Sequence, residues 1–389
     1  MKIKKVLAIT GIRSEYDILY PVIDTLRNSE NFNVKIVVSG AHLSDWHGNT
    51  LKKIEEDGFE IADKIDSLLM TNRKIQRAKG VGILIQGLAQ TVEREEPDFL
   101  LFVGDREECI AATIVGNYMD VLVAHIGGGD PVYGNADDPI RFAASKLAQI
   151  HFVTAKSYAE NLKKIGEEEF RIFFIGNPAY ANIVNTEQIS LEEASKMLNF
   201  DITDGRYIAL LKHPLSSEKE STYKQMNITL QAIEEFAEEN NIKVAGIYPN
   251  TDPGAYDILK AIQELRSNKI KFFKTLPRNI FVNLMRNALA LVGNSSMGIL
   301  EAPFYKLPVI NIGNRQKGRL NAGNVEFVDH DVDLIKNKLS KACFDKKYRK
   351  YIANLENPYG DEKAPERIRD ILLSIDLNDS KWYVKKKLC

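Results

Sequence analysis

A chain of 389 residues, 44% hydrophobic and 27% charged, is long enough to bury a large core and to divide into two domains. Its formal net charge of −1 argues against a protein built mainly to grip nucleic acid or an anionic membrane. The three cysteines (Cys109, Cys343 and Cys389) form no CxxC pair, and no run nears the ~20 apolar residues of a bilayer span. The basic N-terminal start precedes an apolar run too short for a signal peptide, so a cytoplasmic protein without a disulfide framework is expected.

Taken in order, Val6–Thr10 reads as a buried strand that exits through Gly11-Ile12-Arg13 into a helix reaching about Leu26. Val34–Ser39 is a second strand, and the loop Gly40–Ser44 after it carries His42. Helical periodicity returns at Leu51–Glu56 and Val81–Glu95. The apolar run Phe99–Val103 then delivers Gly104-Asp105-Arg106, and after a helix Val121–Ala124 delivers His125. A glycine-rich turn follows with Asp130, Asp137 and Asp138. Pro139–Gln149 is expected to be a helix capped by Asp138. His151–Thr154 and Ile172–Ile175 read as short strands around a helix at Tyr158–Ile165.

Gly176–Ile189 looks like a loose connection between domains, and Ser190 with Glu193 has capping-box spacing. Beyond it, strands are predicted at Tyr207–Leu211, Val244–Tyr248, Ile270–Phe273, Leu289–Val292 and Val309–Ile312. Helices are predicted at Tyr223–Glu239, Ala255–Arg266, Arg278–Arg286, Met297–Phe304 and Val332–Ala342. A last helix from Ala364 leads into a basic tail expected to fray. The alternation predicts an α/β protein of two doubly wound, Rossmann-like domains facing a cleft, with parallel strands and right-handed crossovers. The boundaries expected are 1–180, 181–362 and a C-terminal segment 363–389.

Neither a Walker A pattern nor a G-x-G-x-x-G after the first strand is present, and the six histidines show no i, i+4 pairing. No cofactor and no metal are expected. Ligands of open α/β sheets sit beyond the carboxyl ends of strands, where Asp105, Asp130, Asp137, His125 and His213 fall. Arg13, at a strand-to-helix turn, suits a phosphate or is a surface arginine. Ser295 and Ser296 occupy the matching turn of the second half, as hydrogen-bond donors or as plain caps. Glu301, one turn on, suits ribose hydroxyls or is an exposed helix residue. Asp105 and Asp138 also fit helix capping, and His125 and His213 also fit ordinary strand-end and loop positions. His42, Arg106, Arg141 and Asn250 complete the candidate substrate-binding set.

In this order the segments Thr10–Ile23, Ser39–Ser44, Gly104–Glu108, Ala124–Phe152, Lys212–Pro214 and Gly293–Ala302 resemble the UDP-N-acetylglucosamine 2-epimerase family. The resemblance runs from about Lys5 to about Asn324 and is nearest the hydrolysing branch, which feeds sialic and legionaminic acid synthesis. It implies a GT-B type fold with the nucleotide between the domains and the C-terminal helix returning toward the first. It also implies a mechanism: a base removes the C2 proton of the sugar as UDP leaves C1, and water adds to the 2-acetamidoglycal. By position, Asp105, Asp130, Asp137 and His213 take catalytic roles, while Arg13, Ser295, Ser296 and Glu301 take the diphosphate and ribose. The implied partner is a UDP-sugar (UDP-N-acetylglucosamine or a 2,4-diacetamido-trideoxy derivative) with no nucleic acid or membrane, in a homodimer or homotetramer.

The chain departs from the family at Gly127, where relatives carry His or Glu, at Asp130, where the hydrolysing branch has Glu, and at Phe142, where many have His. A non-hydrolysing epimerase, a GT-B glycosyltransferase and a catalytically silent sugar-nucleotide sensor are the competing readings.

Overall fold

The computed structural model describes residues 3–45, 48–69, 75–132, 137–250 and 252–384. The chain divides into two units, one of Met1–Pro131, Ala136–Asn182 and Tyr359–Cys389, the other of Val132–Asn135 and Ile183–Pro358. Each is built on a wholly parallel sheet.

The first unit runs β1 (Lys4–Thr10), α1 (Arg13–Arg27), β2 (Phe32–Ser39), α2 (Leu51–Glu56), β3 (Glu60–Ile65), α3 (Ile75–Glu95) and β4 (Phe99–Val103). It continues with α4 (Glu107–Tyr118), β5 (Leu122–Ile126), α5 (Asp137–Leu147), β6 (Ile150–Val153), α6 (Lys156–Lys164), β7 (Ile172–Phe174) and α7 (Ala179–Asn185), within which it gives way to the second unit. Its sheet has the order β3-β2-β1-β4-β5-β6-β7. Central β1 is apolar on both sides, as a strand covered on two faces must be. Val6 and Ala8 pack against Tyr16, Leu19 and Val22 of α1, while Leu7 and Ile9 pack against Leu84 and Leu88 of α3 and Cys109 of α4.

In the second unit α8 (Leu191–Leu198) is capped by Ser190, whose Oγ accepts the Glu193 N–H at 3.1 Å. Then come β8 (Tyr207–Leu211), α9 (Thr222–Asn240), β9 (Lys243–Ile247), α10 (Ala255–Glu264), β10 (Ile270–Phe273), α11 (Arg278–Asn287) and β11 (Leu291–Gly293). The unit closes with α12 (Met297–Leu300), β12 (Val309–Ile312), β13 (Val325–Val328), α13 (Val332–Phe344) and α14 (Lys346–Ala353). The sheet order is β10-β9-β8-β11-β12-β13. Ile208 and Leu210 face the α9 and α13 side, and Tyr207, Ala209 and Leu211 face the α8 and α11 side.

Several sequence expectations are corrected. β3, β13 and α14 had no counterpart in the reading of the sequence, α3 begins at Ile75 instead of Val81, and Gly176–Ile189 contains α7. α5 begins at Asp137, so Asp138 lies in its first turn and not at its cap. α12 stops at Leu300, short of Phe304, because Pro303 offers no N–H and disfavours helical backbone before it. Glu301 is therefore the residue that ends the helix.

The tail does not fray as far as it is described. α15 (Ala364–Ser374) packs beside α1 in the first unit, and Lys4 Nζ donates to the Leu372 carbonyl at 2.7 Å near its end. Buried Arg171 donates to the carbonyls of Lys381 at 2.6 Å and Trp382 at 3.2 Å, which holds the Trp382 ring in the core. Among the described residues, no helix is long and apolar enough to cross a membrane.

Candidate active site

Where strand order reverses in an open parallel sheet, the loops diverge and leave a crevice at the carboxyl ends. In the first unit that point lies between β1 and β4. β1 exits through Gly11, and β4 exits through Gly104, whose φ of +90° is a conformation glycine adopts freely. Asp105 follows, and Arg106 occupies the cap position of α4.

Arg141, reaching in from α5, donates one guanidinium nitrogen to Asp105 Oδ2 and the other to the Gly127 carbonyl at 2.6 Å. The second nitrogen also lies 3.9 Å from Asp130 Oδ2. Arg141 is 6% exposed and Asp130 3%, so one cation links two carboxylates largely out of water. Burial by itself would weaken the guanidinium's hold on its proton, but the Asp105 and Asp130 charges outweigh it and raise the pKa further. Gly127 has a φ of +87°, and a Cβ there would stand 3.6 Å from Arg141 Nη1. The departure from His or Glu at this position thus matches a backbone that favours glycine.

His125 lies inside β5, not beyond its end, and is fully buried. Its Nε2 is 2.7 Å from the Gly104 carbonyl, its Nδ1 is 3.3 Å from Ser145 Oγ, and its ring tilts against Phe102. His42 is equally buried, between Thr10 Oγ1 at 3.0 Å and Thr50 Oγ1 at 2.7 Å, and burial lowers its pKa to about 4. Both imidazoles are buried and hydrogen-bonded to residues at the strand ends around the crevice. Arg13 opens α1 and pairs with Asp17 at 3.3 Å. Asp137 opens α5, and its side chain lies outside the described residues.

Two carboxyls at this point were not foreseen. Glu15 and Glu108 stand in the first turns of α1 and α4, yet both are buried. Burial pushes Glu15 well up, with Glu108 adding to the shift, and burial together with Glu107 pushes Glu108 up. Ser39 Oγ donates to Glu108 Oε1 at 3.0 Å. Gly11 leaves room for the second of these carboxyls, since a Cβ there would stand 1.7 Å from Glu108 Oε1.

The second unit has its reversal between β8 and β11. Asn294 ties the two ends together: its N–H donates to the Leu211 carbonyl at 2.9 Å, its Oδ1 accepts the His213 N–H at 2.7 Å, and its Nδ2 donates to the His213 carbonyl at 2.9 Å. The Asn250 N–H donates to His213 Nδ1 at 3.0 Å, so the neutral ring carries its proton on Nε2. Asn250 commits its own amide to Asp252 at 2.6 Å. Arg315 and Gln316 each donate to the Asn294 carbonyl at 3.1 Å. Ser295 Oγ accepts the Met297 N–H at 3.4 Å, and Ser296 caps α12 by position without a side-chain bond. Lys212, buried after β8, lies 3.0 Å from His330 Nε2; sequence reasoning passed over this pair.

The first unit thus gathers Asp105, Asp130, Arg141 and Arg106, and the second gathers His213, Asn250, Ser295 and Ser296. Among the described residues, no cluster of three or more His, Cys, Asp or Glu side chains is arranged to hold a metal.

A family model of UDP-N-acetylglucosamine 2-epimerases matches residues 24–373. The chain is 33% identical over 377 residues to a protein of Legionella pneumophila named as a hydrolysing UDP-N,N'-diacetylbacillosamine 2-epimerase, covering 97% of each. It is 32% identical to a Campylobacter jejuni protein named as a hydrolysing GDP/UDP-N,N'-diacetylbacillosamine 2-epimerase, covering 88% of this chain and 89% of that one. In fold it is similar to the Neisseria meningitidis UDP-GlcNAc 2-epimerase solved with UDP-GlcNAc, with a TM-score of 0.80 at 20% identity over 95% of this chain and 100% of that one. The paired parallel sheets, the acidic crevice of the first unit and these matches lead to one assignment: the chain belongs to the UDP-N-acetylglucosamine 2-epimerase family.

Proposed function

We propose that the chain is a hydrolysing 2-epimerase of a UDP-2-acetamido sugar. The observation that carries this reading is the buried Arg141 that joins Asp105 and Asp130 at the strand ends of the first unit. Two carboxylates held by one guanidinium provide a base and an acid at a fixed spacing, which proton transfer at a weakly acidic carbon requires.

In the first step the C2–H and C1–O bonds break, a C1=C2 bond forms, and UDP departs with the C1 oxygen. In the second step water gives its hydroxyl to C1, while C2 receives a proton on the opposite face. The sum is UDP-sugar plus water giving UDP and the free 2-epimer. Asp105 and Asp130 handle the protons at C2, with Asp137 and His213 completing the proton inventory. Arg13, Arg106, Ser295 and Ser296 offset charge developing on the leaving diphosphate, and Glu301 and Asn250 serve the nucleoside. His42 and His125 act as positioning residues.

The names of the two relatives above support UDP-N,N'-diacetylbacillosamine, the 2,4-diacetamido-trideoxy sugar, over UDP-N-acetylglucosamine. The product then belongs to legionaminic-type rather than ordinary sialic acid synthesis. Two buried free thiols, Cys109 and Cys343, support a cytoplasmic setting. Ile75 and Ile83, exposed on α3, support a homo-oligomer.

Phosphorus NMR of the purified protein with each UDP-sugar tests the reading. Free UDP is expected from the diacetamido sugar at the higher rate. A 2-epimer still bearing UDP assigns the non-hydrolysing reaction, and UDP release that depends on an added acceptor assigns a glycosyltransferase.

A further inference from the structure

Lys212 leaves the end of β8 only 3% exposed, and its Nζ lies 3.0 Å from His330 Nε2, just beyond β13. Strands β11 and β12 separate β8 from β13, so the two side chains meet across the carboxyl ends of those strands. Gly313, which follows β12 with a φ of +83°, makes room for the ring: a Cβ there would stand 2.6 Å from His330 Cε1.

A buried ammonium ordinarily rests against a carboxylate. Here its hydrogen-bond neighbour is the His330 imidazole, and among the described residues no carboxylate is in ion-pair contact with it. Glu218, before α9, is the acidic group that acts on Lys212, but its Oε1 accepts from Asn314 at 2.9 Å and its Oε2 from Gln225 at 2.7 Å. Glu218 and Asp329 are the acidic groups acting on His330. Burial lowers Lys212 to about 7, and burial followed by the Lys212 charge lowers His330 to about 4. A buried amine that rests against an imidazole, with no carboxylate paired to it, is suited to hold an anion. The same strand ends carry Asn294, on whose carbonyl Arg315 and Gln316 converge.

We propose that Lys212 and His330 form an anion-binding lobe of the second unit, which takes a phosphate group of the nucleoside diphosphate and binds a proton as it does so. The inference rests on the reading that a UDP-sugar is the substrate, and it adds a charge-variable phosphate contact to that reading. The phosphate oxyanion supplies the counter-charge that Glu218 and Asp329 leave unfilled, and the incoming proton goes to the Lys212 amine.

Calorimetry of UDP binding in buffers of different ionisation enthalpy tests this. At pH 8 the wild type should take up close to one proton per UDP, and at pH 6 little, because Lys212 is then already charged. Lys212→Met should bind UDP at least about tenfold more weakly and without that uptake. Lys212→Arg, which is charged at every working pH, should keep UDP binding and lose the uptake, so a Met variant that fails to fold does not end the test. Inorganic pyrophosphate should compete with UDP for the wild type and poorly for Lys212→Met. UDP binding by the wild type with no proton uptake, or at equal strength in Lys212→Met, overturns the inference and leaves the proposed function standing. A wild type that binds neither UDP nor a UDP-sugar overturns both.

Discussion

Asp105 is carried to the end of β4 by one glycine and is met there by the Arg141 guanidinium. Asp105→Asn keeps the shape and removes the base. Turnover should fall by about three orders of magnitude or more, in the range general-base removal gives, while UDP affinity stays near that of the wild type and melting remains cooperative at a temperature lowered by the loss of one Arg141 counter-charge. Loss of cooperative melting together with activity would instead assign Asp105 to structure.

His42 makes a different prediction. Burial lowers its folded pKa to about 4, below the ordinary 6.5, so the unfolded chain binds the proton first. Its stabilising contribution is complete above pH 6.5 and is lost as pH falls from 6.5 toward 4, by up to about 1.4 kcal/mol per pH unit. Urea unfolding at pH 7 and 5 should show a steeper loss for the wild type than for His42→Gln; parallel losses would contradict it. At this scale the sequence was readable where a residue directly follows an apolar strand, as Asp105 does. It was not readable for the burial of His125, because β5 runs two residues past Ala124 to Ile126 and takes the ring into the sheet, nor for Lys212 and His330, which lie 118 positions apart.

Gly293 ends β11 with a φ of +132°, and a Cβ would stand 2.0 Å from the Leu211 carbonyl oxygen of neighbouring β8. That oxygen is backbone inside a parallel ladder, where Gly293 pairs with Leu211, and it cannot step aside. Gly293→Ala should therefore cost about 3 kcal/mol or more, read as a large drop in the denaturant midpoint, and melting within a degree of the wild type would contradict the close approach. Elements that bury both faces, such as β4 and β8, were legible from their apolar runs. β3 is half-exposed along Glu60–Ile65 and β13 interrupts its apolar residues with Glu326, so neither shows a clear period, whereas α14 keeps helical spacing at Tyr348, Tyr351 and Ile352 but over only 8 residues. α12 was overread because apolar spacing continues past Leu300 while Pro303 ends the backbone pattern.

On the scale of the whole molecule, strand–helix alternation predicted two parallel α/β sheets, and each sheet reverses its strand order at one interior point. Asp105, met by Arg141, follows β4 at that point in the first unit, and Asn294, bonded to His213, ties β8 to β11 at that point in the second. Alternation does not encode the return of Tyr359–Cys389 to the first unit, because that depends on burial of α15 against α1 and on the Arg171 bonds to the tail. On this reading these residues exchange the C2 proton of a UDP-sugar and release UDP. Proton NMR of the reaction in D2O, with the 2,4-diacetamido nucleotide sugar, tests it most directly. Free UDP and a free 2-epimer carrying deuterium at C2 are expected. A free sugar that retains its original C2 proton would contradict it.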